Sequence, residues 1–331
     1  MILTFTPNPS LDKTVELDAP LSPGAVQRAP RNSADPGGKG VNVSRALSAA
    51  GVQTRAILPG DPGDPVLTGL DALDVASLSL PIGTALRTNI TIADPDGTTT
   101  KINEAGPQFS AEDQQRLVDL VLEAAPGASW VVLAGSLPPG LPTDFYAQLI
   151  LRLRTECGDQ APRLAVDTSG PPLAAGAAAS PDLIKPNAEE LLELVELLSG
   201  RTPEITAEEL ETDAAAAAAL AREAQAFGVR AALVTLGAHG AVYVPSSSEG
   251  AEPIRAWGPP IVARSTVGAG DASLAGFLLA DQAGDSPEHA LRYAMGMGRA
   301  AAELPGSAMP TPDLIATDII ETHLVNVETT P

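Results

Sequence analysis

The stretch STVGAGDASLAGF at residues 265–277 places an acidic side chain behind a glycine turn, at the head of an apolar, helix-forming run. Read as strand end, turn and helix start, it offers free backbone N–H groups at a positive helix terminus, which is an anion site. Asp271 then either caps the helix or, aimed into a cleft, takes a proton from a substrate hydroxyl. A second stretch, PGGKGVNVSRAL at residues 36–47, sets Gly37 and Gly38 before Lys39, with Asn42 one turn into a helix. Glycine lets a polyhydroxylated ligand approach the backbone, and Lys39 and Asn42 supply charge and hydrogen bonds. The plainer alternative is an ordinary Gly-Gly turn with Lys39 in solvent.

Other chemistries fit less well. A dinucleotide fingerprint needs G-x-G-x-x-G or A after an early strand, with an acidic residue about 20 positions on. In the stretch above, the third glycine position is Ser273 and the element comes late; GMGRAA at 296–301 lies inside a helical pattern. A Walker loop fails because GKG at 38–40 has neither the terminal Ser or Thr nor a Gly at position 33. His239, His289 and His323 form no metal-spaced cluster and no Ser-His-Asp set, which argues against hydrolase chemistry.

Composition narrows the partners. A formal net charge of −21 over 331 residues opposes broad attraction to nucleic acid or an anionic membrane, so cations for an anionic ligand must be concentrated locally. Lysines number only four, Lys13, Lys39, Lys101 and Lys185, and each therefore invites a role. The single Cys157 excludes an intrachain disulfide and suits a reducing compartment. No signal-like start and no long apolar run is present, so the expectation is a cytoplasmic chain in which the sequons at Asn42 and Asn89 are chance matches.

The elements that must position these residues read as repeated βα units. ILTFT at the start is a core strand, GVNVSRALSAAG a helix and TRAIL a strand; SAEDQQRLVDLVLEAA, SWVVLAG, a helix after Pro142, RLAVD, DLIK, NAEELLELVELL, an alanine-rich surface helix at about 213–227 and AALVTLG continue the alternation. Such a pattern predicts a mostly parallel sheet covered by helices on both faces. Two stretches break the rhythm. Residues 11–35 alternate at period two, as does ALRTNITIADPDGTTTKINE, whose DPDG turn marks a hairpin, and together they predict a small second sheet.

At this point the chain resembles the ribokinase-like sugar kinases of the phosphofructokinase B type. TPNPSLD, PGGKGVNV, RTNITI, NEAGP, AGSLPPG, DTSG, KPNAEEL, TLGAHGA and STVGAGD follow one another in that family's order over nearly the whole chain. TPNPSLD and AGSLPPG are most similar to its hexose-phosphate branch. The resemblance implies a three-layer α/β fold, a single domain over residues 1–331 with lid segments at about 11–35 and 85–105, and ATP and Mg²⁺ as cofactors. It implies that Asp271 is the base and that the N–H groups of Gly268, Ala269 and Gly270 stabilise the transferring phosphoryl group. Asp12, at the end of the first strand, would hold sugar hydroxyls with Gly38 and Asn42. Asn187 and Glu190 match the family's N-x-x-E element and would orient hydrated Mg²⁺; the plainer reading of Glu190 is a helix-dipole contact. Lys185, Thr235, Gly237 and Gly240 would line the nucleotide pocket, with His239 a surface loop residue.

A phosphosugar needs a second cationic cluster. Arg28, Arg87, Lys101, Lys39 and Ser136 are the expected set, with the lid bringing them to the sugar. The resemblance favours fructose 1-phosphate, phosphorylated at carbon 6 to fructose 1,6-bisphosphate. Tagatose 6-phosphate or fructose 6-phosphate would bind reversed and react at carbon 1. A noncatalytic sugar-phosphate sensor is the reading from another class. ELPGSAMPTPDLIATDII matches the family poorly, which leaves the adenine contacts unassigned; GDPGDPVLTGLDALDV also matches poorly but is expected away from the chemistry. A homodimer through the lid sheet is the expected assembly.

Overall fold

A computed structural model describes residues 1–326. The chain opens on β1 (Ile2–Phe5) and then leaves the core for β2 (Ser10–Glu16) and β3 (Arg31–Gly37). It returns through α1 (Lys39–Ala49), β4 (Thr54–Pro59), α2 (Pro65–Ala72) and β5 (Ser77–Leu80), and leaves once more for β6 (Arg87–Ala93) and β7 (Thr99–Asn103). The βα alternation follows in α3 (Ala111–Ala124), β8 (Trp130–Ala134), α4 (Phe145–Cys157), β9 (Arg163–Asp167), α5 (Gly170–Ala178), β10 (Leu183–Ile184) and α6 (Ala188–Ser199). After α7 (Ala207–Thr212) and α8 (Ala214–Gln225) come β11 (Ala231–Thr235), β12 (Ala241–Val244), β13 (Ile254–Trp257), α9 (Ala269–Ala283), α10 (Pro287–Glu303) and β14 (Glu321–Leu324).

The large sheet has the order β14-β13-β12-β11-β10-β9-β8-β1-β4-β5. It is parallel from β11 to β5 and antiparallel across β11 to β14. Its central strands are apolar on both faces: every residue of β1 and β8 is buried. A strand with no polar face must be covered on both sides. Accordingly α3 to α8 pack on one face through Leu117, Phe145, Leu191 and Ala217, and α1, α9 and α10 on the other through Leu47, Leu274 and Leu291. The small sheet has the order β3-β2-β6-β7, with β2 and β6 parallel.

Four expectations change. Asp12 lies in the middle of β2, in the small sheet, and not at the end of the first strand. The DLIK strand shrinks to Leu183–Ile184, because Lys185 and Pro186 continue the pairing only through single backbone bonds to Val166 and Thr235. The alanine-rich helix is no surface decoration: Ala214, Ala217, Ala218, Ala221 and Ala224 are buried against the sheet. The glycine turn is not entered directly from a strand end, since β13 stops at Trp257. Pro259 and Pro260, which have no N–H for the ladder, end β13 well short of the turn.

Helices α9 and α10 meet at Gly276, where a Cβ would stand 2.8 Å from the Tyr293 carbonyl oxygen and 3.0 Å from Ala294 Cα. Backbone cannot yield there as a side chain can. Gly276→Ala is therefore expected to destabilise by about 1–3 kcal/mol through overpacking, read as a lowered urea midpoint. A wild-type midpoint would show that the two helices can part freely.

Candidate active site

Parallel strands all end at one edge of the large sheet, and there the backbone leaves room for side chains and ligands. Asp167 closes β9, Lys185 follows β10 and Thr235 closes β11. Asp167 is fully buried, with Lys39 Nζ 2.8 Å from its Oδ1 and Lys185 Nζ 3.2 Å from its Oδ2. Burial disfavours its charge, yet the ammonium groups of Lys185 and Lys39 overrule that and hold the carboxyl below its usual range. Burial likewise opposes the charge of Lys39, and the carboxylates of Asp167 and Glu190 reverse the effect and raise its pKa.

Asp271 is the third residue of α9, behind Gly268, which holds the N-cap position at φ 79°. A left-handed conformation of this kind favours glycine. No side chain caps the helix, so the Asp271 carboxylate is not spent on capping. Instead its Oδ2 accepts a hydrogen bond from Asn42 Nδ2 at 2.8 Å. Desolvation, followed by the like charge of Asp167, pushes its pKa up to about 6, against the opposing pull of Lys185, Asn42 and Lys39. A Cβ on Gly270 would stand 3.5 Å from Lys185 Nζ, so the lysine faces the turn. The Ala269 N–H donates to the Thr266 carbonyl at 3.4 Å, and that of Gly270 has no intrahelical acceptor by helix geometry.

Asn187 and Glu190 form a reciprocal capping box: Asn187 Oδ1 accepts from the Glu190 N–H at 2.8 Å, and Glu190 Oε2 accepts from the Asn187 N–H at 3.0 Å. The helix-start reading is thus realised, while Glu190 Oε1 still reaches Lys39 at 3.0 Å. Thr235 bridges to Asn187 and so brings the later strand to the same spot. Gly237 and Gly240 flank the exposed His239; Gly240 is fixed by packing, since a Cβ would stand 2.1 Å from the Ala256 carbonyl oxygen.

A second group lies where the small sheet joins the large one. Asp12 Oδ1 accepts from Ser10 Oγ at 2.7 Å and from Asn89 Nδ2 at 2.9 Å. Its Oδ2 sits over Gly37, 2.0 Å from where a Cβ would be, so any side chain there would push the Asp12 carboxylate aside. Asn8 Nδ2 donates to Ser136 Oγ at 3.2 Å and to the Ala105 carbonyl at 3.1 Å. Arg87 Nε donates to the Asn8 carbonyl at 3.3 Å, beside a cavity of about 350 Å³ lined by Arg87, Glu104 and Gly106. Burial lowers its pKa from the ordinary arginine value. The buried Oδ1 atoms of Asn8 and Asn89 accept no hydrogen bond from the described residues.

The expected phosphate set is not gathered as a unit. Lys39 belongs to the Asp167–Glu190 group, its ammonium paired with both carboxylates. The side chains of Arg28 and Lys101 are exposed on the small sheet and its loop and make no hydrogen bond or ion pair among the described residues. Asn42 sits on Asp271, not on Asp12. Four residues escaped the sequence reading. Asp167, Asn8 and Asn89 lie within DTSG, TPNPSLD and RTNITI, whereas Arg45 carried no local signal.

A helix-flanked parallel sheet bearing a small sheet at its C-terminal edge, with a carboxylate and two ammonium groups at a glycine turn, defines the ribokinase-like sugar kinases. The model of the pfkB family carbohydrate kinases matches residues 7–314. A 1-phosphofructokinase of Haloferax volcanii is 34% identical over 98% of this chain and 97% of its own length. The crystal structure of phosphofructokinase-2 from Escherichia coli in complex with potassium superposes with a TM-score of 0.82 at 28% identity, covering 96% of this chain and 97% of that one. Ribokinase from Thermotoga maritima shares the fold, with a TM-score of 0.74 at 18% identity over 95% and 97% of the two chains. The chain belongs to the pfkB family of carbohydrate kinases. No helix among its described residues is long and apolar enough to cross a membrane.

Proposed function

We propose that this kinase transfers the γ-phosphoryl group of ATP to the carbon-6 hydroxyl of fructose 1-phosphate, giving fructose 1,6-bisphosphate. The observation that carries the reading is the buried Asp271 carboxylate at the Gly268–Gly270 turn, with its pKa raised to about 6 and Lys185 facing the same turn. A carboxylate so tuned is ionised at neutral pH yet basic enough to take a hydroxyl proton. Lys185, Lys39 and the α9 N-terminus supply positive potential where phosphoryl charge collects. Relatives named 1-phosphofructokinase support the choice of sugar.

Asp12 and the unpaired acceptors of Asn8 and Asn89 suit a polyhydroxylated ligand, since buried polar atoms seek partners. Mg²⁺ would suit these oxygen donors, with Glu190 holding it through its waters and Asn187 steadying that carboxylate through the capping box. When bound, the metal neutralises phosphate charge. Thr235, Gly237 and Gly240 would border the nucleotide. The chain works as a single domain whose small sheet closes on the sugar, with Arg87 and Ser136 binding its phosphate and Arg28 and Lys101 arriving on closure. β7, exposed along its whole length, offers the surface for a second copy.

Turnover with ATP and a panel of fructose 1-phosphate, fructose 6-phosphate, tagatose 6-phosphate and ribose tests the reading. Preference for a 6-phosphate would reverse the sugar's orientation; binding of a phosphosugar without turnover would make the chain a sensor. Arg87→Ala is expected to raise KM for fructose 1-phosphate about 10- to 100-fold, the worth of a charge-assisted hydrogen bond, with KM for ATP little changed. An unchanged sugar KM would remove Arg87 from the phosphate site.

A further inference from the structure

Arg45 lies one turn beyond Asn42 on α1 and is 6% exposed. It makes no ion pair with a carboxylate among the described residues, and its Nε is buried without a partner. A guanidinium in that setting is costly, and burial lowers its pKa from the ordinary value. Its Nη1 points to three acceptors on three segments: the Pro36 carbonyl at 2.9 Å, Asn42 Oδ1 at 3.2 Å and Ser307 Oγ at 3.2 Å. Pro36 is the next-to-last residue of β3, at the root of the small sheet. Ser307 follows α10, two residues before Met309, whose methyl would meet a Cβ on Gly268 at 3.0 Å.

We propose that Arg45 is a positioning residue for the Asp271 base: it fixes the Asn42 carboxamide that hydrogen-bonds Asp271 and ties that pair to the root of the small sheet. The proposal rests on the assignment of Asp271 as base. Arginine carries donors only, and a carboxylate accepts only. The Asn42 oxygen must therefore face Arg45, which turns its NH₂ toward Asp271. A flipped amide would set oxygen against carboxylate and NH₂ against guanidinium, so Arg45 selects the useful orientation. Displacement of β3 moves the Pro36 carbonyl and, through Arg45, the partner of the base.

Arg45→Met keeps an unbranched apolar stem and removes the guanidinium with its donors. The groups facing Asp271 are Asp167 from β9, Lys185 after β10, and Lys39 and Asn42 from α1. Those near Arg45 are Asp35 from β3, Asp12 from β2 and Asp271 from α9. Without Arg45, Asp271 loses an oriented donor and a nearby cation, so its proton is held more tightly. The expected result is a kcat roughly 10- to 100-fold lower, as for a small misplacement of a reacting group, with KM for ATP unchanged and the acid limb of kcat/KM moved to higher pH. In an Asn42→Ala background, Arg45→Met should cost no further kcat, because the amide through which it acts is gone.

Arg45→Lys, which keeps the charge and one donating nitrogen, should recover part of kcat and shift the acid limb less; it also serves if the methionine variant does not fold. A folded Arg45→Met enzyme with the wild-type acid limb, or a kcat loss fully additive with Asn42→Ala, would overturn the role of Arg45 and leave Asp271 in place. Full turnover in Asp271→Asn would instead overturn the base assignment, and Arg45's role with it.

Discussion

Asp271→Asn should lower kcat by about 10²- to 10⁴-fold, the usual share of general base catalysis, while ATP binds as before. The amide has the shape of the carboxylate but cannot take a proton. It sits at the third position of α9, a helix whose cap it does not supply, so the fold should survive. Wild-type kcat/KM should level off above about pH 6 and fall as pH drops below it, because the working form is ionised and burial with Asp167 nearby raises the pKa to about 6. Calorimetric titration with ATP and a pH profile check both halves. Near-normal turnover in the variant, or a profile flat down to pH 4, would take Asp271 out of the chemistry.

Asp167→Ala should cost about 3–5 kcal/mol of stability, the range for removing one partner of a buried ion pair. Lys185 is 5% exposed, and Asp167 is its only carboxylate partner among the described residues; Lys39 keeps Glu190. The variant thus strands one buried ammonium and loosens the other. A lower urea midpoint at unchanged slope would report it. The pH dependence has a definite sign. The folded-state pKa of Asp167 is depressed, so its contribution is present above the unfolded value of about 3.9 and is lost as pH falls through the folded one. The gap between wild type and variant should therefore narrow in acid. Equal midpoints at neutral pH would mean that the ion cluster adds no net stability.

Much of the architecture was legible because its strands are buried on both faces and its helices on one. ILTFT, SWVVLAG and RLAVD read as core strands with no polar face, and each became one. Short elements were less visible: β10 has two residues, and β14 pairs with β13 from a stretch with little alternation. The glycine turn and the N-x-x-E helix start were readable because backbone geometry demands those residues locally. Lys39 was misplaced for the opposite reason. Its neighbours in sequence are glycines, and its partners Asp167 and Glu190 come from β9 and α6, which only the sheet order brings to α1. Arg45 was hidden within an ordinary helical pattern, where nothing local distinguishes a buried guanidinium from a surface one.

The small sheet is not a loop on a single stalk. Its strands come from two separate excursions of the chain, and β2 from the first pairs with β6 from the second. Backbone therefore crosses between the sheets before Ser10, after Gly37, before Arg87 and after Asn103. A plate fastened by two pairs of chain crossings is held against twisting and sideways drift more firmly than a loop on one stalk. The same fastening makes the plate inseparable from the core in synthesis, since β2 must wait unpaired with β6 until α1, β4, α2 and β5 have been made.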